Sequence, residues 1–438
     1  MSRFFSILRR HGKKIFTAED SVHDPAFLSH NEFHHEFSRI EGLPTEIQLQ
    51  IFCMLEPDDL KSLVYASHTL HQQYSVQRKF ILGQLLQIAL PGLASTAIAV
   101  NQSMNFDGGS VPAAMQFLDN QRTTQLDSLT ECTEDQIVLM AIFHWHCIVP
   151  LRRSYTEWAL SNLADKCRTP RSDFTLSASE ELRITRAMYR YQLGCNLLSQ
   201  QQSSDPSWPT WPDSMEGVLA DKFFLYYMPW EVEEMICIHR FACAFYDVVL
   251  LETGLRQGPS HRSVDGTFFG IEVSQRAYHD TIVACTGLDV MAKIRYRIKN
   301  NKPVVDILRN LQTYRTTFSC AFENPIGHDA STTAWMTSHI KPECLLELRT
   351  PFPFTGDADS DGPPFAWTVL WRDTYSDMTG YYIPNTLKDW GYVMWDARRI
   401  KETGADELLK KQWNMRLIHG NYAWAEFFDG YPVRMSTD

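Results

Sequence analysis

Residues 41–82 read EGLPTEIQLQIFCMLEPDDLKSLVYASHTLHQQYSVQRKFIL, and local rules draw three short helices through them. Pro44 suits a first helical position, where its missing N–H costs nothing, and Leu43, Ile47, Ile51 and Leu55 recur every four residues as one apolar stripe. Phe52 widens that stripe. A second helix starts at Pro57, with Asp58 and Asp59 in its first turn complementing the positive end of the helix dipole, and with Leu60, Leu63 and Val64 as its buried face. Ser67 caps a third, in which Leu70, Tyr74, Ile81 and Leu85 fall close to whole turns apart. A segment of about 40 residues is near the lower limit for an independent domain, so part of this apolar surface must meet a partner or the rest of the chain.

The rest of the chain extends the helical pattern. Amphipathic or buried helices are expected over Asp135–Ile148, Ala178–Leu198, Glu231–Leu251 and Leu387–Lys401, and strand-like alternation is rare. Turn-forming residues cluster at 107–110, 199–214, 254–267 and 350–364, and no internal repeat of fixed period occurs, which argues against a solenoid or propeller. The expected fold class is predominantly all-α. Residues 1–40 form a basic N-terminal region, 41–85 the three-helix segment, and 86–438 an irregular multi-helix C-terminal domain.

Composition narrows the function classes. The 438 residues are 44% hydrophobic and 12% aromatic, enough for a large core. The formal net charge is -11, and Arg3, Arg9, Arg10, Lys13 and Lys14 in residues 1–16 face no acid, so the remainder sums to -11 - 5 = -16. A body this acidic argues against broad phosphate-directed binding to nucleic acid. Ten cysteines lie in apolar stretches without a C-x-x-C pair, the usage of reduced thiols in a cytoplasmic or nuclear protein. The N-terminal MSRFFSILRRHGKKIF interleaves Phe4, Phe5, Ile7, Leu8, Ile15 and Phe16 with bases, as a transit or membrane-surface segment does, but reads more simply as a basic tail. Ile81–Phe106 holds no charge and has the length of a bilayer span, yet Pro91-Gly92 divides it, so two buried helices are expected and no membrane partner.

The order Leu43-Pro44, Glu46-Ile47, Ile51-Phe52, Leu55, Asp58-Asp59-Leu60, Leu63 and Ala66-Ser67 leading into Leu70 resembles the F-box family over about a tenth of the chain. The resemblance implies three helices docking on a Skp-type adaptor, and through it on a cullin scaffold with a RING subunit. By the same resemblance the adaptor-facing residues are Leu43, Pro44, Ile47, Ile51 and Leu55 from the first helix and Leu60, Leu63 and Val64 from the second. The chain departs from the pattern at His68, where Arg or Lys is usual, and has no Trp after it. Pro229-Trp-Glu-Val-Glu-Glu234 and Trp390-Gly-Tyr-Val-Met-Trp-Asp396 are similar to blocks that accompany F-boxes in a large set of proteins from filamentous fungi. Read without the family, both are core: a helix start, and a helix whose Trp390 and Met394 share a face. The implied function is that of a non-catalytic substrate-recognition subunit of a ubiquitin ligase, with an unknown protein substrate on the C-terminal region. A helical scaffold whose F-box-like segment never meets the ligase is the rival.

Chemistry-bearing patterns are weak. Asp357-Ala-Asp359-Ser-Asp361-Gly362 opens like a calcium loop, but the twelfth position is Thr368 instead of Glu, and a solvated acidic loop is expected. His144 and His146 diverge on a helix and suit packing better than metal binding; His34-His35 is less specific still. No hydrolase elbow, phosphate loop or H-E-x-x-H occurs, and the glycines at 254, 258, 266 and 270 are wrongly spaced for a dinucleotide fold, so neither an enzyme nor a cofactor is expected. Trp208 and Trp211, in a proline-rich loop, are the tryptophans expected near solvent.

Overall fold

Prolines and caps cut the chain into helices where local rules place them. The computed structural model describes residues 39–104, 111–123, 129–168, 174–198, 222–254, 267–268, 271–272, 286–311, 351–359, 361–375, 379 and 383–410. The basic N-terminus, His34-His35, Trp208, Trp211, the break at 107–110 and nearly all of 254–267 lie outside these residues.

The helices are α1 (Thr45–Met54), α2 (Pro57–Ala66), α3 (His68–Ala89), α4 (Ala94–Ser103), α5 (Val111–Thr123), α6 (Glu134–Phe143), α7 (Val149–Cys167) and α8 (Ala178–Leu198). They continue with α9 (Pro229–Glu252), α10 (Leu288–Lys299), α11 (Val305–Leu311), α12 (Phe365–Leu370), α13 (Asn385–Lys388) and α14 (Ala397–Thr403). Between α9 and α10, the two-residue strands β1 (Thr267–Phe268) and β2 (Ile271–Glu272) pair antiparallel. The described residues are thus predominantly α-helical.

The described residues fall into two compact units, one drawn from the ranges 1–105 and 125–146, the other from 106–124 and 147–438. In the first, α3 is the axis, and α1, α2 and α6 all pack on it. Its buried row Leu70, Tyr74, Ile81, Leu82, Leu85 and Leu86 follows helical spacing. The boundary expected after residue 85 falls inside α3, because the apolar row runs on to Leu90 and is closed by α6, which returns from later in the sequence. Gly92, at φ +70°, turns the chain so that α3 and α4 meet at 118°, and α4 then packs on α6. No single described helix is long and apolar enough to cross a membrane. Thr133 and Gln136 close a capping box at the start of α6, and the helix expected to run unbroken to Ile148 passes into a π turn at His144.

In the second unit, α8 and α9 form the central pair, and both are buried over most of their length. The helix expected over Leu387–Lys401 is instead three pieces: α13, a 3-10 turn over Tyr392–Met394, and α14. Gly391 causes the break. It sits at φ +66°, and a Cβ there would collide with the buried hydroxyl of Tyr155 on α7. Gly391→Ala therefore combines a left-handed backbone penalty with overpacking, and is expected to cost about 2–4 kcal/mol in urea denaturation. A loss under ~1 kcal/mol would mean that Tyr155 swings clear.

Candidate functional site

α1 makes a choice that its apolar stripe does not announce. The helix turns Phe52 and Gln48, one turn apart, into the core of the first unit. The opposite side then carries Leu43 at 36% exposure, Ile47 at 41% and Met54 at 85%. Pro44 is also exposed, while Ile51 and Leu55 are half-buried at the edge.

Gln48 is the residue that sequence reasoning passed over. Its buried side-chain amide lies 3.0 Å from the carbonyl oxygens of Ile40, Glu41 and Leu43, stapling the incoming chain across the start of α1. Ser67 completes the arrangement: its hydroxyl accepts from Leu70 N–H at 3.2 Å, as a cap, and donates to the Glu41 carboxylate. Leu43 and Pro44 are consequently held outside the core by hydrogen bonds on both flanks. Pro44 stands at the N-cap and not at the first helical position expected for it, which Thr45 takes.

On α2 the expected surface divides. Leu63 is half-buried, but Leu60 and Val64 are only 3% and 6% exposed, because they are the pair one turn apart that α2 packs on α3. Those two therefore offer little surface to a partner, in contrast to the surface that the resemblance implies. With Lys61, Tyr65 and Tyr74 they line a shallow apolar dimple, and Tyr65 is exposed at its rim. His68 is exposed in the first turn of α3. The uncovered surface is thus Leu43, Pro44, Ile47 and Met54, with Ile51, Leu55 and Leu63 on its flank.

The second unit holds a different cluster, which is buried. Arg183, Arg186 and Arg190 follow at three- and four-residue spacing along one face of α8. Arg186 forks onto Glu234, with Nε to Oε2 at 3.1 Å and Nη2 to Oε1 at 2.6 Å, and reaches Glu231 at 3.3 Å. Arg190 Nη1 lies 2.7 Å from Glu231, and its guanidinium covers the Tyr227 ring at 4.6 Å. Arg183 binds Asp396 at 2.8 Å and Asp357 at 3.2 Å, while Arg399 forks onto Glu180 with both contacts at 2.7 Å.

The two blocks 229–234 and 390–396 thereby meet through α8. The Tyr392 hydroxyl donates to Glu233 at 3.2 Å, and Trp395 Nε1 donates to the Trp390 carbonyl at 2.7 Å. Burial pushes the Glu234 carboxyl up, with Arg186 opposing that push; burial also acts on Glu231, but Arg190 and Arg186 outweigh it and hold this carboxyl below its ordinary range. The Arg186–Glu234 fork at its centre is enclosed and orders the fold, while Asp357, Asp396 and Arg399 at its edge are only partly covered.

The remaining motifs resolve locally. Asp357 is part-buried and is engaged by Arg183 and by the Ala397 N–H at 3.1 Å, so this end of the acidic loop is not solvated as expected. Asp359 accepts from Thr355 and from the N–H groups of Asp361 and Gly362. Among the described residues no group of three metal-capable side chains converges. Cys243 Sγ lies 3.5 Å from His239 Nε2 on α9, a pairing that suggests a nucleophile and its base. Burial, with Arg240 and Lys388, holds His239 down to about 3, far too weak a base for that task near neutrality. Among the described residues expected to face the adaptor, Leu43, Pro44 and Ile47 are the exposed ones. No family model matches the chain, and no curated protein or solved structure matches it either.

Proposed function

We propose that this chain is an F-box substrate-recognition subunit of a cullin-RING ubiquitin ligase, with the exposed face of α1 as its contact for a Skp-type adaptor. The observation that carries the reading is that Leu43, Pro44 and Ile47 stand outside the core while Gln48 and Ser67 hold the chain around them in place. Uncovered apolar side chains on an ordered backbone bind with little entropy left to lose. In this reading the chain performs no transfer itself. It holds a protein substrate through its second unit and raises the effective concentration of substrate lysines near the charged conjugating enzyme.

Titration with a purified Skp-type adaptor tests the proposal. Ile47→Asp puts a charge on the contact face, and is expected to weaken binding about tenfold or more while costing about 1 kcal/mol of stability, because the side chain is partly covered and partly in water. Replacing Leu43 and Pro44 together by Ala is expected to abolish capture and leave helical content intact. Capture that survives both changes would move the contact to another face.

The burial of Leu60 and Val64 favours a second reading, in which this is a helical scaffold whose F-box-like segment packs only on its own chain. Failure of the unaltered protein to bind the adaptor would select it.

A further inference from the structure

The uncovered face has an electrostatic character that the apolar residues do not require. Residues 41–66 carry five acids (Glu41, Glu46, Glu56, Asp58 and Asp59) and one base, Lys61, for a sum of -5 + 1 = -4. Glu46, Glu56, Asp58 and Asp59 are all exposed, and Glu46 lies one position before Ile47 on the outward side of α1. An occupant that is apolar and basic together complements this surface.

The same chain contains such a segment. Residues 1–16 set Phe4, Phe5, Ile7, Leu8, Ile15 and Phe16 among five bases and no acid. We propose that residues 1–16 dock on the exposed apolar face of α1 of their own chain, beside Glu46, and so compete with any partner for Leu43 and Ile47. Twenty-two residues, 17–38, separate Phe16 from Arg39, and a chain of that length reaches at most about 75 Å. The ten-residue α1 is only about 15 Å long, so its whole face is within reach.

Tethering makes weak complementarity sufficient. Across such a connection the effective concentration is of millimolar order, so a segment that binds its face at only ~0.1 mM occupies it about ten times in eleven. Adaptor affinity is then lowered about tenfold by the same factor. That consequence rests on the adaptor reading above; the docking itself does not.

Zero-length carbodiimide cross-linking of the full chain, read by mass spectrometry on the monomer, tests the docking without an adaptor. Links are expected from Lys13 or Lys14 to Glu46, Glu56, Asp58 or Asp59, with strong loss in Ile47→Asp and on added salt. Links confined to the five acids of 17–38, links found only between two copies, or links indifferent to Ile47→Asp each overturn the proposal. So does their absence together with co-sedimentation of residues 1–16 on phosphatidylserine vesicles. In the presence of adaptor, the variant R9E/R10E/K13E/K14E is expected to bind about tenfold more tightly than the unaltered chain, and equal affinity would refute competition. Cross-links that persist in a chain that binds no adaptor would uphold the docking and discard only the ligase reading.

Discussion

Arg186→Met is expected to destabilise the second unit by about 3–5 kcal/mol, because it removes one partner of a buried pair and strands the other. Glu234 is fully buried, and both its oxygens are taken by Arg186. Without that guanidinium the carboxylate must be protonated or draw water inward. Glu231 keeps Arg190 at 2.7 Å and is less affected. Replacing both partners, Arg186→Met with Glu234→Leu, is expected to recover most of the loss, since an apolar pair of similar volume is often as stable as a buried ion pair. Urea denaturation of the two variants measures the difference. A loss under ~1 kcal/mol for Arg186→Met alone would show that the fork contributes little.

The acid side of the stability curve has a definite sign. Glu231 is depressed below the ordinary carboxylate range, so its folded form holds its proton less tightly than its unfolded form. Its contribution is therefore complete above the unfolded pKa and is lost as pH falls through the depressed folded value. Arg186→Met removes one of the two guanidiniums that depress Glu231, so this part of the variant's deficit should shrink at low pH.

Phe52→Ala should loosen the first unit by about 3–5 kcal/mol, the range for truncating a fully buried aromatic ring. Phe52 is 0% exposed on the face of α1 that α3 receives. Its neighbour Ile51 is half-buried and Met54 nearly bare, so Met54→Ala is expected to change stability by less than ~0.5 kcal/mol. Amide hydrogen exchange along α3 reads the contrast: exchange at Ile81–Leu86 should rise roughly 10²- to 10³-fold in Phe52→Ala and stay level in Met54→Ala. Equal responses would mean that α1 packs through its other side, and the contact face would have to be redrawn.

The two variants also separate fold from recognition in the first unit. Phe52 stabilises the three helices without reaching the surface, whereas Ile47, 41% exposed, presents part of its side chain to a partner. An adaptor contact on α1 therefore requires that binding follow Ile47 in variants that remain folded.

Sequence alone determined the elements that depend on neighbours along the chain. The start of α2 at Pro57, the Ser67 cap, the break at Pro91-Gly92 and the extent of α8 are set by backbone geometry and one-turn spacing, and these are readable from a few adjacent residues. Tertiary structure decided everything that required choosing between faces. The stripe of Leu43, Ile47, Ile51 and Leu55 is as apolar as Phe52, and only the position of α3 sends Phe52 inward and leaves Leu43 and Ile47 partly exposed. Leu60 and Val64 close against α3, as their reading as the buried face of α2 expects and not as the family resemblance implies, while at Trp390–Asp396 the expected helix is interrupted at Gly391, whose backbone lies too close to Tyr155 of α7 for a side chain. The arginines of α8 meet their acids across separations such as 48 and 213 residues. Periodicity measures how apolar a helix face is, but the partner that covers it comes from elsewhere in the chain, and that is where one-dimensional reading stops.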